Sequence, residues 1–336
     1  MKPVKIAING FGRIGRSFFR AAFGQPDFSI VAVNDLTDPK TLAYLLKYDS
    51  VYGRYRRAVA AHDRELEVDG LRLRVLAERD PARLPWRELG ADIIVESTGF
   101  FTDGAKARAH LDAGAKRVVI TAPASGEVTT ALVGVNDDRF AGAGPITANA
   151  SCTTNSVAPV LAILAESLGV VKAGMTTVHG YTATQKLVDG PDAKDARRGR
   201  AAAANIVPST TGAAEAVIQA IPQLEGKFDA VAIRVPTIAG SLSVTTALVG
   251  KPTTAAALND LFRAAAAEPR WSRVLKVTDD PIVSTDIIGE PYGAIIDASL
   301  TKVVDGDLVK IFSWYDNEAG YTATLIEHVR RVAMSA

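Results

Sequence analysis

Cys152 is the only cysteine in 336 residues, and it stands in "ASCTTNS" (150–156), where a helical pattern begins. A structural cysteine usually has apolar neighbours. Here Ser151, Thr153, Thr154 and Asn155 surround it instead. Ser151 is suited to cap the helix, which sets the thiol in the first turn, where the helix dipole favours a thiolate and a lowered pKa. A thiolate so placed attacks carbonyl carbon. A base should stand near it, and there are four histidines. His62 lies in the charged "AHDRE", His110 on an amphipathic helix pattern and His328 in a C-terminal helix; all three read as surface or packing residues. His179 differs, because it ends the apolar "GMTTV" and opens the polar "GYTATQ", as a strand-end catalytic residue does. Spacing does not say whether sulfur and imidazole meet in space. One cysteine with scattered histidines makes no zinc site.

A second constellation opens the chain. "VKIAINGFGRIGRSFFR" sets Gly10, Gly12 and Gly15 between a strand and a helix. Gly10 permits the tight turn, Gly12 lets backbone approach a pyrophosphate, and Gly15 lets helix pack on strand. Unpaired amides at the helix start then face phosphate oxygens. Asp35 closes the next strand, 20 residues beyond Gly15, where a carboxylate accepts from ribose hydroxyls. A 2′-phosphate would be repelled there, so NAD is expected over NADP. The plainer reading, that Asn34 and Asp35 cap the next helix, does not account for the glycine spacing.

Donors for an anion follow. Arg234 sits inside the apolar "VAIRVPT", either paired with a carboxylate or reaching into a site. "PSTTG" (208–212) precedes a helix pattern, so Thr210, Thr211 and the following amides can bind phosphate or simply cap the helix. Thr182 and the pair Arg197–Arg198 add donors, although arginine runs are commonly solvated. Nicotinamide cofactor, thiolate and anion donors together point to aldehyde oxidation through a thioester.

The elements that must position these groups form two textures. Before residue 150, the apolar runs 4–9, 29–35, 91–98 and 117–123 alternate with helical patterns at 13–23, 39–48 and 103–114. That alternation predicts an α/β, doubly wound parallel sheet. "ELEVDGLRLRVL" (65–76) reads as an inserted antiparallel hairpin turning at Asp69-Gly70. After it, one helix (153–168) leads into longer strands at 174–182, 229–236, 241–249, 294–304 and 307–316, predicting an α+β domain with a mostly antiparallel sheet. The charged 189–200 segment reads as a functional loop, and the Ala-rich 201–204 and 264–267 as helix-compatible. The expected domains are 1–150, of Rossmann type, and 151–317, catalytic, with a helix at 318–336 packing back on the first.

Bulk properties narrow the classes. A chain of 336 residues suits two domains. A formal net charge of +1 gives no electrostatic case for nucleic acid or an anionic membrane surface. No stretch approaches the roughly 20 apolar residues of a membrane span. Glycines interrupt the N-terminus before a signal-peptide core is reached. A single cysteine forms no internal disulfide, in keeping with a cytoplasmic location.

"INGFGRIGR", "NDLTD", "LLKYDSVYGR", "ESTGFF", "NASCTTN", "TTVHGYTATQK", "STTGAA", "RVPT" and "SWYDNEAGY" occur in order along nearly the whole chain. In these it resembles the phosphorylating glyceraldehyde-3-phosphate dehydrogenases. The resemblance implies that Cys152 attacks the aldehyde and that His179 moves the proton. It implies that Ser151, Thr153, Thr211 and Gly212 bind inorganic phosphate, and that Thr182 and Arg234, assisted by Arg197, bind the substrate's own phosphate. NAD contacts would come from Phe11, Arg13, Ile14, Asp35, Arg79, Thr121 and Asn317, the last orienting the carboxamide. It also implies glyceraldehyde 3-phosphate and phosphate as substrates, and a homotetramer whose charged loop completes a neighbour's NAD pocket, with Pro191 crowding a 2′-phosphate.

The departures are few. Ser156 stands where the family commonly has a second cysteine, Glu215 where it has lysine, and Thr121 where it has serine. "IAGSLSVTTALV" after "RVPT" replaces the commoner "PNVSVVDLV", in a region of subunit contacts. Two other readings compete. Erythrose-4-phosphate dehydrogenase is a related activity, but "GYTATQ" and "TTGAA" argue against it. A noncatalytic binding protein on this fold would be expected to lose thiol or base, and both are present.

Overall fold

The structure, a computed structural model, describes residues 2–334. Two compact units emerge: 2–131, 137–150 and 325–334 in the first, 132–136 and 151–324 in the second.

The first unit is built on nine strands: β1 (Val4–Asn9), β2 (Phe28–Asn34), β3 (Val59–Ala61), β4 (Glu65–Val68), β5 (Leu71–Leu76), β6 (Ile93–Glu96), β7 (Arg117–Ile120), β8 (Thr129–Thr130) and β9 (Ile146–Ala148). Their order is β3-β4-β5-β2-β1-β6-β7-β9-β8. All pairs from β5 through β8 are parallel. Strands covered on both faces must be apolar throughout, which is why β6 reads Ile-Ile-Val-Glu with every residue buried. The hairpin insert pairs β4 with β5 and turns at Asp69 (φ 50°) and Gly70 (φ 81°), the left-handed conformations that Asp-Gly accommodates best. The helices are α1 (Arg13–Ala22), α2 (Pro39–Lys47), α3 (Trp86–Leu89), α4 (Gly104–Asp112) and α5 (Asp138–Ala141). Asp38 and Asp103 cap α2 and α4 through their carboxylates. His328 is a packing residue, as expected. Its Nδ1–H donates to the Ala131 carbonyl, Nε2 accepts from Thr147, and burial holds its pKa at about 3.

The second unit contains α6 (Cys152–Ser167), β10 (Val170–Gly180), β11 (Val207–Ser209), α7 (Ala213–Ala220), β12 (Phe228–Val235), β13 (Ser241–Val249), α8 (Ala255–Ala267), β14 (Leu275–Thr278), β15 (Ala294–Asp297), β16 (Lys302–Val304) and β17 (Leu308–Tyr315). A last helix, α9 (Ala319–Met334), begins here. The strand order is β11-β12-β10-β13-β17-β15-β14, with β16 pairing β17. The sheet is mixed: β10 with β12 and β14 with β15 are parallel, the remaining pairs antiparallel. Helix α6 packs on β10, β13, β15 and β17.

Two expectations need correction. Residues 294–304 are not one strand, because the Asp297 carboxylate accepts from the Ser299 amide and hydroxyl and turns the chain through a short 3-10 helix at Ala298–Leu300. The Ala-rich 201–204 segment forms a turn, whereas 264–267 does end a helix.

Candidate active site

Helix α6 begins at the nucleophile for local reasons. Ala150 takes φ 51°, a conformation costing about 1 kcal/mol for a residue with Cβ, and turns the chain at the helix entry. Ser151 caps the helix, its Oγ accepting from the Thr154 amide at 3.0 Å. Cys152 is therefore the first helical residue, half-buried. Its Sγ lies 3.4 Å from His179 Nε2. The His179 imidazole arrives from the end of β10, where register pairs it with Arg234 on β12 and Ser241 on β13.

The inner face of this sheet is unexpectedly polar. Thr177 and Tyr315 point beneath α6, and the Tyr315 hydroxyl bonds Thr177 Oγ1 (2.7 Å) and Thr153 Oγ1 (3.0 Å). One turn along the helix, Ser156 Oγ meets Ser243 Oγ (3.0 Å) and Ser313 Oγ (3.2 Å). Two departures from the family pattern, Ser156 and the 238–249 segment, thus satisfy one another. Nothing in the residues flags this contact in advance, because it depends on strand register.

Electrostatics overturn one expectation. Burial pushes the Cys152 thiol up from its ordinary pKa, against the opposing pull of Arg234 and the first-turn hydrogen bonds. The helix-start position alone predicts a lowered value; desolvation outweighs it. Burial and the Arg234 charge lower His179 to about 3, so the imidazole is neutral at physiological pH. Its Nδ1 is 2.6 Å from the Gly180 carbonyl and 2.7 Å from Arg234 Nη1. One nitrogen cannot donate to the carbonyl and accept from the guanidinium at once. Arg234 Nη1 also donates to Gly180 O at 3.1 Å. In the tautomer that places Nδ1–H on that carbonyl, Nε2 keeps a lone pair facing the thiol.

The anion donors are only partly gathered. The Thr211 hydroxyl accepts from the Ala213 amide at the start of α7, with Gly212 exposed beside it. Thr182 bonds Thr184 at 3.0 Å. Arg197 is held by Asp195 at 3.1 Å, with a side chain 61% exposed. Its neighbour Arg198 instead crosses to Ser209 Oγ (2.8 Å) and the Thr210 carbonyl (3.1 Å). The structure therefore brings Arg198, not Arg197, to the "PSTTG" loop. The short 3-10 helix at Ala196–Gly199 sends adjacent side chains in different directions, and linear order does not reveal which goes where.

In the first unit, a cavity of about 570 Å³ opens at the carboxyl ends of β1, β2 and β6 and is bordered by Gly10, Gly12, Asp35, Arg79 and Thr98. The sheet order reverses at β1, where doubly wound sheets bind dinucleotides. The glycines fit that use. A Cβ on Gly15 would stand 2.1 Å from the Gly10 carbonyl, while a Cβ on Gly12 meets nothing within 4 Å, leaving backbone open to a ligand. Asp35 is held by the Phe11 amide (2.8 Å) and the Thr37 amide (2.9 Å). The Arg13 guanidinium is committed to Asp49. Thr121 Oγ1 donates to the Glu96 carbonyl at 3.1 Å. In the second unit, Asn317 Oδ1 accepts from the Gly240 amide at 3.0 Å. Among the described residues no cluster of metal ligands occurs, and no helix is long and apolar enough to cross a membrane.

Comparison with known proteins agrees with this geometry. A family model described as "Glyceraldehyde 3-phosphate dehydrogenase, NAD binding domain" matches residues 4–104, and one described as "Glyceraldehyde 3-phosphate dehydrogenase, C-terminal domain" matches 151–317. Proteins named glyceraldehyde-3-phosphate dehydrogenase from Mycobacterium avium and Mycobacterium tuberculosis (strain ATCC 25618 / H37Rv) are each 50% identical to the chain, over 99% of both sequences. One of that name from Streptomyces coelicolor is 48% identical over 96% of the chain and 97% of its own length.

Proposed function

The chain belongs to the glyceraldehyde-3-phosphate dehydrogenase family, and on that premise we propose that it oxidises D-glyceraldehyde 3-phosphate with NAD and inorganic phosphate to 1,3-bisphosphoglycerate through a thioester on Cys152. The observation carrying this reading is the 3.4 Å approach of the only thiol to a neutral imidazole at a helix start.

Cys152 Sγ attacks the aldehyde carbon while His179 Nε2 takes the thiol proton, then returns it to the new oxyanion to complete a thiohemiacetal. NAD, when bound, supplies the hydride acceptor. His179 takes the hydroxyl proton as the carbon gives up its hydride, which leaves a thioester and an imidazolium. Phosphate attacks the thioester carbon, the C–S bond breaks, and His179 returns the proton to sulfur. Thiol and neutral imidazole are restored.

Arg234 and Thr182 hold the substrate's phosphate in this reading. Arg198, which reaches Ser209 and the Thr210 carbonyl, joins Thr211, Gly212, Ser151 and Thr153 for the attacking phosphate, while Arg197, expected to assist at the substrate's own phosphate, is held by Asp195. The first unit is the NAD unit, with Phe11, Arg13, Ile14, Asp35, Arg79 and Thr121 about the cofactor, and the second the substrate unit. Asn317 orients the carboxamide. We assign a cytoplasmic homotetramer. Leu187, Val188 and Ile206, which flank the charged 189–200 loop and are each at least 70% exposed, support an assembly that covers them. Light scattering should give four times 35.5 kDa; a monomeric mass refutes the assignment.

The decisive assay follows NADH absorbance with glyceraldehyde 3-phosphate. Sustained turnover should require inorganic phosphate, and glyceraldehyde 3-phosphate should be preferred to erythrose 4-phosphate at equal concentration. The reverse preference would transfer the enzyme to the related activity. Cofactor choice is separately testable at Asp35. Losing a charged acceptor of about 1.5–3 kcal/mol, Asp35→Ala should weaken NAD by roughly 10- to 100-fold and narrow the NAD/NADP gap. An unchanged gap would show that another residue sets it.

A further inference from the structure

A polar ladder lies across the carboxyl ends of three adjacent strands in the first unit. Strand register sets Asn34 of β2 beside Asn9 of β1, and Asn9 beside Glu96 of β6. All three side chains are buried, Glu96 and Asn9 at 1% exposure. An ionised carboxylate needs donors at such a position, and four converge on it. Glu96 Oε2 accepts from Asn9 Nδ2 (2.5 Å) and His110 Nε2 (3.0 Å). Glu96 Oε1 accepts from the Thr98 amide (2.8 Å) and the Thr98 hydroxyl (2.5 Å).

The direction of each bond is fixed from one end. Trp86 Nε1–H, which can only donate, points at His110 Nδ1 at 3.0 Å. His110 therefore accepts at Nδ1 and donates from Nε2 to Glu96. Asn9 Nδ2 also lies 3.4 Å from His110 Nε2. Acceptance by Nε2 there would require a proton on Nδ1 facing the Trp86 N–H, so that pairing is excluded. With Glu96 holding the Asn9 amide nitrogen, Asn9 Oδ1 is left to accept from Asn34 Nδ2 (2.6 Å). Asn34 Oδ1 in turn accepts from the Glu78 amide, and Asn34 Nδ2 donates to the Glu78 carbonyl, both at 2.9 Å.

Both branches end in the cavity wall. Asn9, Asn34, Glu78 and Arg79 border one side of it and Thr98 and Phe100 the other; the Thr98 hydroxyl accepts the Phe100 amide at 3.1 Å. We propose that Glu96 is a positioning residue for the dinucleotide, a buried carboxylate that ties the two walls of its cavity together, oriented by a His110 whose tautomer Trp86 selects. This rests on the NAD reading of that cavity. Glu96 needs no contact with NAD to act; its charge decides which way the Asn9 and Asn34 amides face.

Glu96→Gln keeps shape but turns one acceptor oxygen into a donor NH2 among groups that all donate. NAD affinity, measured by fluorescence titration well below the melting temperature, should fall at least about tenfold. Affinity for AMP should fall with it, and Cys152 alkylation by iodoacetamide should keep its wild-type rate. Trp86→Phe should cost about threefold and shift the His110 imidazole 15N signals away from the Nε2–H tautomer. Adding Trp86→Phe to Glu96→Gln should cost nothing more. Wild-type protein that fails to bind NAD would refute the cofactor reading itself. Wild-type binding with a Glu96→Gln affinity within about twofold would overturn the ladder while leaving that reading intact. Should Glu96→Gln not fold, Trp86→Phe decides: a changed tautomer with unchanged NAD affinity overturns the proposal.

Discussion

Cys152→Ala should lower phosphate-dependent NADH formation by a factor on the order of 10⁴–10⁶, the scale on which enzymes with a covalent nucleophile depend on it, while NAD binding stays at the wild-type level. The size follows from the absence of a substitute. No other cysteine exists in the chain. The nearest hydroxyls are occupied, Ser151 in capping the helix and Thr153 in bonding Tyr315, and neither lies where His179 Nε2 faces the sulfur. NAD binding is spared because the glycine loop, Asp35 and the cavity they border belong to the other unit. Turnover and NAD titration on the same preparation check both halves. Retention of even one percent of wild-type turnover would mean that no thioester forms at this residue, and would favour a binding protein or a different nucleophile.

His179→Gln should lower kcat by roughly 10²- to 10⁴-fold, the range for removing a positioned proton carrier. Glutamine can still hydrogen-bond the sulfur but cannot shuttle a proton, so the variant separates proton transfer from positioning. Burial raises the thiol and lowers the imidazole to about 3, so both shifts favour the neutral forms of the pair. Proton transfer must then accompany attack, and the variant should slow formation of the first NADH as well as later turnovers. A pre-steady-state measurement makes the check. An unchanged first-turnover rate with slow turnover would confine His179 to the phosphorolysis half of the reaction.

The glycine cradle, the Ser151 cap and the Asp69-Gly70 hairpin were legible in the residues because each is decided within a few positions by φ preference or by a local side-chain bond. Strand alternation likewise gave both sheets, since burial on two faces or one leaves a direct trace in hydropathy. His179 stands out by its place at a strand end, yet its distance from Cys152 does not follow from spacing. The break at Asp297 is not legible in sequence, because an aspartate that turns the chain through Ser299 looks, in a linear pattern, like any polar residue of an alternating strand.

What the sequence determined by itself was the chemistry on offer: a nucleotide cradle, one thiol at a helix start, one strand-end imidazole, and cations for an anionic substrate. What only the tertiary structure decided was partnership and charge. Arg198 rather than Arg197 reaches the phosphate-type loop, Ser156 finds Ser243, and Glu96 gains Asn9 through strand register and His110 from α4. The thiol's pKa rises where its helix position alone favoured a fall. The physical reason is common to all of these. Hydrogen-bond partners and desolvation depend on groups distant in the chain, while capping and turn geometry depend on neighbours.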